Sequence, residues 1–459
     1  MTLMQLVWTL VKILVMVGFL LNLAGILTWA DRRQSAMIQH RIGPNRAYFK
    51  IFGHEFRILG LLHTAADGIK FFTKEDFMPP RADRLLFALA PILSMGAVFT
   101  LLAVIPFGDT ICPRQFALHF PNVFVGPAVQ RYGSCALDAS GGYYPIDLMV
   151  APLSVGVLYI FAMAGQGIIG AAIAGWSSDN KFSLMGALRA ASQMVSYEVT
   201  LGMSLIGALM IYGTVRLDDM VRWQSENAWG IFVQPLAFFL FFTASVAENK
   251  RIPFDLPEAE SELVSGYFTE YAGMKFGMFY FAEYAEIVTG SMLLVTIFLG
   301  GWALPFLHRD GLTIAFGDTS IVRALVPHFW VTVLGVLTFF GKVIVVCWVQ
   351  CFVRWTLPRF RYDQLMKLGW RILLPASLAN ILVTGVVWLA LDSAGPAVGG
   401  ALRIAADLTQ AVVALGLTYF VIRAIIGLLT PVRHERTLLG SSAEVAAKRG
   451  GTKTTPMQA

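Results

Sequence analysis

Nine long apolar stretches recur along this 459-residue chain and limit the folds that it can adopt. A transmembrane helix needs about 20 mainly apolar residues to cross roughly 30 Å of hydrocarbon. The hydrophobic fraction of 56% and the charged fraction of 14% also suit a multi-span membrane protein. We therefore predict an all-α, polytopic membrane helical bundle with about nine transmembrane helices. The predicted spans are residues 3–29, 84–107, 147–174, 189–214, 230–247, 274–304, 329–353, 368–392 and 401–427.

The loops between these spans leave no room for a separate aqueous domain. We expect one transmembrane domain over residues 1–428, with an eight-helix core, one further C-terminal helix and structured cytoplasmic loops. Residues 108–145 form a predicted external loop, and residues 429–459 a disordered basic tail. The first span is predicted to be retained, because Asp31, Arg32 and Arg33 follow it where a signal peptide would have small residues.

Lys and Arg are divided unevenly between the two predicted sides of the membrane. With nine spans, 26 of the 35 basic residues fall on one side, which the positive-inside rule assigns to the cytoplasm. We expect a bacterial inner-membrane protein with a periplasmic amino terminus and a cytoplasmic carboxyl terminus. The basic residues are spread over membrane-edge loops without a nucleic-acid-reading motif, so lipid, and not nucleic acid, is the expected surface partner.

The four cysteines fall in two pairs. Cys112 and Cys135 share the predicted external loop, and the sequence leaves open whether they form a disulfide in the oxidising periplasm. Cys347 and Cys351 lie one helical turn apart within a span. Two thiols without histidine or further cysteine make a poor metal site, so we interpret them as packing residues and predict no metal.

Residues 165–170 match the GxGxxG pattern of nucleotide-binding proteins. The match lies inside a predicted transmembrane helix, without the preceding strand on which the nucleotide-binding motif depends. Together with Ala171, Ala174 and Gly175, these glycines are predicted to allow close helix packing. No segment indicates a flavin, nicotinamide or iron–sulfur site.

A run of acidic residues marks the candidate site of chemistry. Eight of the 29 Asp and Glu residues lie between positions 248 and 286, next to and within apolar stretches. A charge at membrane depth costs about 2.5–3.5 kcal/mol, so such groups usually handle protons, cations or a polar ligand. They are Glu248, Asp255, Glu258, Glu260, Glu262, Glu270, Glu283 and Glu286.

Pro253 and Pro257 are predicted to interrupt any helix through this run. After Pro257 a short helix would place Glu258 and Glu262 on one face. Apolar residues alternate with the acids, which favours a buried functional loop over a solvated acidic loop.

Three further charges, Glu198, Lys342 and Lys12, fall inside predicted spans, as does Glu283 of the acidic run. Glu198 and Glu283 are the better candidates for a buried proton path. Lys342 and Lys12 are consistent with snorkelling or a structural ion pair, and for Lys12 the sequence does not decide. The basic segments 41–46 and 358–364 are equally consistent with positive-inside anchoring and with built structure.

Taken together, several segments resemble the H-type membrane subunit of proton-pumping NADH:quinone oxidoreductase, respiratory complex I, the counterpart of the mitochondrially encoded subunit one. The most specific is Pro-Phe-Asp-Leu-Pro-Glu-Ala-Glu-Ser-Glu-Leu-Val-Ser-Gly at 253–266. The other matching segments follow in the family's order at 41–46, 66–70, 74–75, 90–106, 174–176, 186–198, 282–284 and 358–366.

The resemblance implies a subunit that forms much of the quinone chamber and couples quinone reduction to proton translocation through buried carboxylates. Quinone would be its substrate, and it would bind no flavin, iron–sulfur cluster or metal. Its partners would be the other membrane-arm and peripheral-arm subunits. By the resemblance, the proton route would use Glu198, Glu248, Asp255, Glu258, Glu260, Glu262 and Glu283. The chamber and its adjoining loops would include Arg41, Arg46, Asp67, Lys70 and Arg251.

The sequence departs from the family pattern at residues 48–58, which look like an insertion, and at His63 and Thr64, where Gln-Pro is usual. Assignments within 47–64 are therefore open. The sequence is also consistent with three other functions: the related membrane subunit of a hydrogenase-type complex, an independent cation/proton antiporter, and a purely structural scaffold.

Overall fold

The computed structural model describes residues 3–51, 54–56, 58–111, 147–255, 265–308, 311–316, 319–326 and 328–393, together with residues 415 and 419. Contacts divide the chain into two units, 1–410 and 411–459. The first unit contains every element below. All of the predicted ninth span except residues 415 and 419, the basic tail, and most of the external loop with Cys112 and Cys135 lie outside the described residues.

Twelve α-helices occur in the described part of the chain, and they confirm the predicted polytopic helical bundle. Seven are long and apolar enough to cross a membrane, counting the last two helices as one, and Pro235–Glu248 is a shorter apolar helix. In chain order they are α1 Leu3–Ile38, α2 Leu62–Thr73, α3 Arg84–Leu101, α4 Gly156–Ser177, α5 Lys181–Tyr212, α6 Leu217–Glu226, α7 Gly230–Val233, α8 Pro235–Glu248, α9 Gly273–Phe298, α10 His328–Thr356, α11 Tyr362–Lys367 and α12 Leu374–Ser393.

Local side-chain caps shift some helix ends from their predicted positions. The α5 helix begins at Lys181, eight residues before the predicted start, because the Asn180 side chain accepts a hydrogen bond from the Phe182 amide. Asp83 caps α3 in the same way through the amides of Leu85 and Leu86. Hydropathy does not detect such caps, since polar first turns lower the apolar average.

Two small antiparallel sheets lie between the helices. The strands β1 Phe49–Ile51 and β2 His54–Phe56 form a hairpin within the segment that looks inserted. The strands β3 Leu307–His308, β4 Gly311–Phe316 and β5 Thr319–Leu325 form the second sheet in the order β3-β4-β5. Both sheets lie in connections between the bundle helices.

The bundle is organised around α9, whose residues from Ile287 to Phe298 are almost all buried. It contacts α1, α2, α3, α6, α8 and α10. Small residues bring other helices close together: a Cβ at Gly170 would lie 2.9 Å from the Ser94 nitrogen, and one at Gly175 would lie 2.6 Å from the Ser183 oxygen. The predicted packing role of this glycine-rich stretch is confirmed at these two positions.

Lys342 of α10 holds the end of α9. Its ammonium donates to the carbonyls of Leu299, Gly301 and Ala303 at 2.7, 2.9 and 2.7 Å, and it lies 4.3 Å from the ring centroid of Trp229. Gln224 completes this anchor, donating to the Thr296 carbonyl and accepting from the Gly300 amide. The lysine therefore holds the backbone of the turn that follows α9 by satisfying three of its carbonyls.

Lys12 has a comparable structural role near the start of α1. Its ammonium donates to the backbone carbonyls of Asp147 and Met149 at 3.1 and 2.8 Å.

The predicted packing role of the membrane cysteines also agrees with the structure. Cys347 and Cys351 are both buried and unbridged, and Cys347 donates to the Ser291 hydroxyl.

Between α11 and α12 the chain forms a π-helical turn, Leu368–Leu373. The Gly369 backbone there lies against the Tyr197 ring of α5, whose hydroxyl donates to the Leu365 carbonyl at 2.9 Å. Trp370 donates to the Ser196 hydroxyl from the same turn. This irregular turn therefore fixes the last described span against the middle of α5, next to Glu198.

Candidate functional site

The candidate site is built where α8 ends and the chain turns toward α9. Helix α8 stops at Glu248, as the two prolines predict, and Lys250 adopts a left-handed conformation with φ 54°. Lys250 and Arg251 follow each other in sequence and are both buried. Because the chain turns sharply here, both cationic side chains reach α9.

Arg251 forms the deeper of two ion pairs with α9. Its guanidinium lies 3.2 Å from a carboxylate oxygen of Glu283, which is only 3% exposed. The Tyr267 hydroxyl donates to the other oxygen of Glu283 at 3.2 Å. The guanidinium also lies 4.2 Å from the ring centroid of Tyr284. A charge this deep is retained because an opposite charge, a hydrogen bond and an aromatic face compensate it.

Lys250 forms the second pair, one helical turn further along α9. Its ammonium lies 3.6 Å from a carboxylate oxygen of Glu286 and 5.7 Å from the ring centroid of Tyr267. Glu283 and Glu286 lie on one face of α9, as their spacing predicts. Two consecutive cations thus meet two carboxylates on one helix face.

A cavity of about 60 Å³ lies beside the second pair. Glu248, Asn249 and Glu286 contribute polar groups to its lining, which is otherwise mostly apolar. A buried water needs about 10–15 Å³ of such volume, so the cavity has room for a few water molecules. The few polar groups and this volume suit a short water chain between Glu248 and Glu286.

Helix α4 leaves space for two of the carboxylates. A Cβ at Gly165 would lie 3.8 Å from a Glu198 oxygen, and one at Gly167 would lie 3.7 Å from a Glu286 oxygen. The GxGxxG stretch therefore does more than pack helices: its first two glycines face carboxylates. Sequence reasoning missed this, because it took the stretch as a packing motif only.

Asp255 lies just beyond this turn and pairs with Arg359. The Arg359 guanidinium lies 3.8 Å from the Asp255 carboxylate and donates to the Asp255 backbone carbonyl. Burial raises the pKa of Asp255 above its ordinary value, and the positive charge of Arg359 opposes that rise. The segment 358–364 is therefore built structure at this point, since the Phe360 amide also donates to the Pro253 carbonyl.

Gln193 of α5 fixes the turn from the other side. Its fully buried amide donates to the carbonyls of Ala247 and Phe254, both at 2.8 Å. These carbonyls lie before and after the two cations, so one side chain holds both ends of the turn. The sequence gives little signal for this role, because its partners are backbone atoms.

Asp31 joins α1 to the same region. It is 4% exposed and accepts hydrogen bonds from Tyr284 at 3.0 Å and from Arg354 and Trp355 of α10. The sequence predicts only that Asp31 flanks the first span. Its interior position shows that the cytoplasmic flank predicted for α1 is part of the buried network.

The residues predicted for the chamber are far more exposed. Arg41, Arg46 and Lys70 are exposed, and the half-buried Asp67 pairs with Arg32 of α1 at 2.6 Å. These four predicted residues, Arg41, Arg46, Asp67 and Lys70, are called the entrance surface below. The His63 ring fixes the backbone of this surface, because its Nε2 atom accepts hydrogen bonds from the amides of Arg46 and Ala47 at 3.1 and 3.2 Å.

Five of the twelve predicted site residues lie in this region of the structure, namely Glu198, Glu248, Asp255, Glu283 and Arg251. We call the five carboxylates of Glu198, Glu248, Asp255, Glu283 and Glu286 the carboxylate cluster. Arg251 belongs with this cluster through its pair with Glu283, rather than with the entrance surface. Glu258, Glu260 and Glu262 lie outside the described residues. Over the described ranges, no group of three or more His, Cys, Asp or Glu could hold a metal ion.

Comparison with known proteins covers most of the chain. Residues 11–385 match the family model described as NADH dehydrogenase. An H-type subunit of NADH-quinone oxidoreductase from Cytophaga hutchinsonii is 42% identical over 358 residues, which cover 78% of this chain and 90% of that protein.

Two further relatives agree with this match. An H-type subunit of NADH-quinone oxidoreductase from Geobacter sulfurreducens is 40% identical, covering 82% of this chain and 93% of that protein. The corresponding protein of Rhizobium etli is 37% identical, covering 82% of this chain and 92% of its own length. The family model therefore extends from within α1 to within α12.

Proposed function

This chain belongs to the NADH dehydrogenase family, with H-type subunits of NADH-quinone oxidoreductases among its relatives, and on that premise we propose that it forms a quinone chamber and couples quinone reduction to proton translocation. It acts as one subunit of a multisubunit respiratory enzyme, complex I, in the bacterial inner membrane. The amino terminus is periplasmic and the carboxyl terminus cytoplasmic. The other membrane-arm and peripheral-arm subunits, quinone and lipid are its partners, and electrons reach the quinone from those subunits.

One observation carries the proposal: two consecutive cations pair with two carboxylates on a membrane-spanning helix, beside a cavity lined by Glu248 and Glu286. A scaffold gains little from such pairs, because the cost of removing both charges from water can exceed their attraction. Their position supports a route by which protons or charge displacements pass between the acidic loop and the membrane interior.

The chemistry follows from the charge that quinone reduction creates. Two-electron reduction gives a dianion, which takes up two protons and becomes the quinol. The Arg251 guanidinium, Asp255 and Glu283 would sense this charge, because they lie close together in a poorly solvated environment where electrostatic interactions are strong. A change in one pair shifts the proton occupancy of the next.

The entrance surface would contact the quinone head group and the partner subunits. Its arginines and lysine offer hydrogen-bond donors, and the apolar side chains of Ile69 and Phe72 on α2 are 65% and 75% exposed. A surface with charged and apolar residues left open in the isolated chain suits a chamber that is completed by neighbouring subunits. Glu258, Glu260 and Glu262 are proposed to continue the acidic passage by the family resemblance.

Glu283→Gln in the assembled complex tests the proposal. In proteoliposomes we expect proton translocation to fall by about tenfold or more, because the neutral amide can no longer take part in proton transfer. Glu226→Gln, an exposed site on α6, is the matched control and keeps normal pumping. Normal pumping by Glu283→Gln would favour the scaffold function, and a complex that evolves hydrogen without reducing quinone would favour the hydrogenase-type alternative.

A further inference from the structure

Lys250 occupies a position from which it can serve two carboxylates. Its ammonium lies 3.6 Å from Glu286, and it attracts the Glu248 carboxylate, which in turn is repelled by Glu286 and Glu198. Glu248 and Glu286 both line the cavity of about 60 Å³. Glu248 thus lies within the electrostatic influence of two carboxylates and of a buried ammonium group.

The pair with Glu286 is not saturated by hydrogen bonds. The Glu286 oxygen nearest to Lys250 is buried and has no hydrogen-bond partner at the 3.6 Å separation. An ammonium group on a flexible four-carbon stem can change partners at a small geometric cost, unlike the planar fork of arginine. The Lys250 ammonium and the Glu286 carboxylate therefore attract each other, but no hydrogen bond between them has to break when they separate.

Tyr267 connects this pair with its neighbour. Its ring faces the Lys250 ammonium, and its hydroxyl donates to Glu283, which pairs with Arg251. Lys250 and Arg251 are also adjacent in the chain. A charge change at the Arg251–Glu283 pair therefore reaches Lys250 through the backbone and through one aromatic side chain.

We propose that Lys250 is a movable counter-ion shared by Glu286 and Glu248, and that its shift between them moves a proton across the cavity in the opposite direction. The inference rests on the proposed function and deepens it by naming a positioning residue. With Lys250 at Glu286, Glu286 is the carboxylate and Glu248 carries the proton. When Lys250 moves to Glu248, that proton passes through cavity water to Glu286.

The step balances without any further reactant. One O–H bond breaks at Glu248 and one forms at Glu286, while the ammonium keeps its protons. The net charge of the three groups is the same before and after, so the cluster never has to hold an additional buried charge. The reverse shift resets the pair.

Lys250→Met and Glu286→Gln in the reconstituted complex test this inference. Each variant removes one partner, and we expect the ratio of protons translocated to quinone reduced to fall by about tenfold, while uncoupled quinone reduction continues. Lys275→Met is the matched control, because Lys275 of α9 pairs with the exposed Asp76, 2.8 Å away. An unchanged ratio in both test variants overturns the inference.

The double variant Lys250→Gln/Glu286→Gln separates a relay from a purely structural ion pair. A structural pair predicts that removing both charges restores the ratio, since neither charge is left uncompensated. The relay predicts that the ratio stays low, because neither the counter-ion nor the second carboxylate is present. Restored coupling in the double variant overturns the inference.

Glu286→Asp keeps the test decisive if the single neutral variants do not assemble. Aspartate retains the charge and withdraws the carboxylate by one methylene, so we expect a partial loss of coupling with normal quinone reduction. A normal ratio in Glu286→Asp overturns the inference.

If Glu283→Gln uncouples the enzyme and the Lys250 and Glu286 variants do not, this inference fails and the proposed function stands. If none of them uncouples it, both fail.

Discussion

The carboxylate cluster and the entrance surface both contain charged residues that form ion pairs, but the two regions hold them in different ways. In the cluster, Arg251 and Glu283 are 6% and 3% exposed and are fixed by an ion pair and by aromatic neighbours. At the entrance surface, Asp67 forms a closer pair with Arg32 of α1, yet the side chains of Arg32 and Asp67 are 44% and 33% exposed. Burial, and not distance, decides how much each pair matters to stability, because water screens exposed charges. The cluster should therefore control folding and coupling together, while the entrance surface should affect ligand binding alone.

Arg251→Met gives the largest effect expected from this difference. It leaves the Glu283 carboxylate buried without its cation, which costs about 3–5 kcal/mol. We expect poor assembly and a lower midpoint of thermal unfolding in detergent. Arg251→Lys is the control, because it keeps the charge and should lose less. Equal stability of Arg251→Met and the original protein would contradict the distinction between the two regions.

Gln193→Leu is expected to have the next largest effect. The change removes the side-chain donor to the carbonyls of Ala247 and Phe254. Ala247 keeps the Lys250 amide at 3.4 Å, whereas an unsatisfied Phe254 carbonyl costs about 1–3 kcal/mol. The unfolding midpoint should fall, and hydrogen exchange at residues 249–255 should increase. Gln193→Glu has nearly the same shape but only accepts hydrogen bonds when ionised, so it should also be destabilised. A stable Gln193→Glu variant would show that side-chain shape, not donation, holds the turn.

Asp255→Asn tests the pH dependence of the cluster. Burial raises the pKa of Asp255 above 3.8 in the folded protein, so the folded state binds its proton more tightly than the unfolded state does. The stabilising contribution is present in full below pH 3.8 and is lost as the pH rises through the folded-state pKa. Asp255→Asn should flatten this part of the profile of unfolding midpoint against pH. An unchanged profile would mean that Arg359 fully compensates the burial of the carboxylate.

Asp67→Asn should have the smallest effect on stability. Its pair with Arg32 is exposed, and such pairs contribute about 0–1 kcal/mol. We expect an unfolding midpoint close to that of the original protein, with an altered KM for quinone and little change in kcat. A large loss of stability would remove the difference between the two regions.

The sequence predicted the bundle well, because long apolar runs have few alternatives to a membrane helix. It also identified Glu198, Glu248, Asp255 and Glu283, since charges near or inside such runs are conspicuous. Their roles in catalysis stay predictions. The three glutamates of 258–262 lie outside the described residues, so their arrangement is still an expectation from the motif.

What the sequence missed depends on contacts between distant elements. Lys250 and Glu286 are 36 positions apart, and nothing local shows that they pair. Gln193 acts on backbone carbonyls, which carry no residue signature, and Asp31 looked like an ordinary flank of the first span. Hydropathy averages detect long apolar helices, so they give no signal for the short strands of 307–325.

Because the anchor fixes one end of α9, a small tilt of the helix about that end moves the other end by a larger distance. Lys342 and Gln224 hold the backbone just beyond Phe298, while Glu283 lies about 22 Å away along the axis at about 1.5 Å per residue. A tilt of about 5° at the fixed end displaces the Glu283 carboxylate by about 2 Å on this geometry. Its ion pair with Arg251 is 3.2 Å long, so a displacement of this size is enough to separate the two charges.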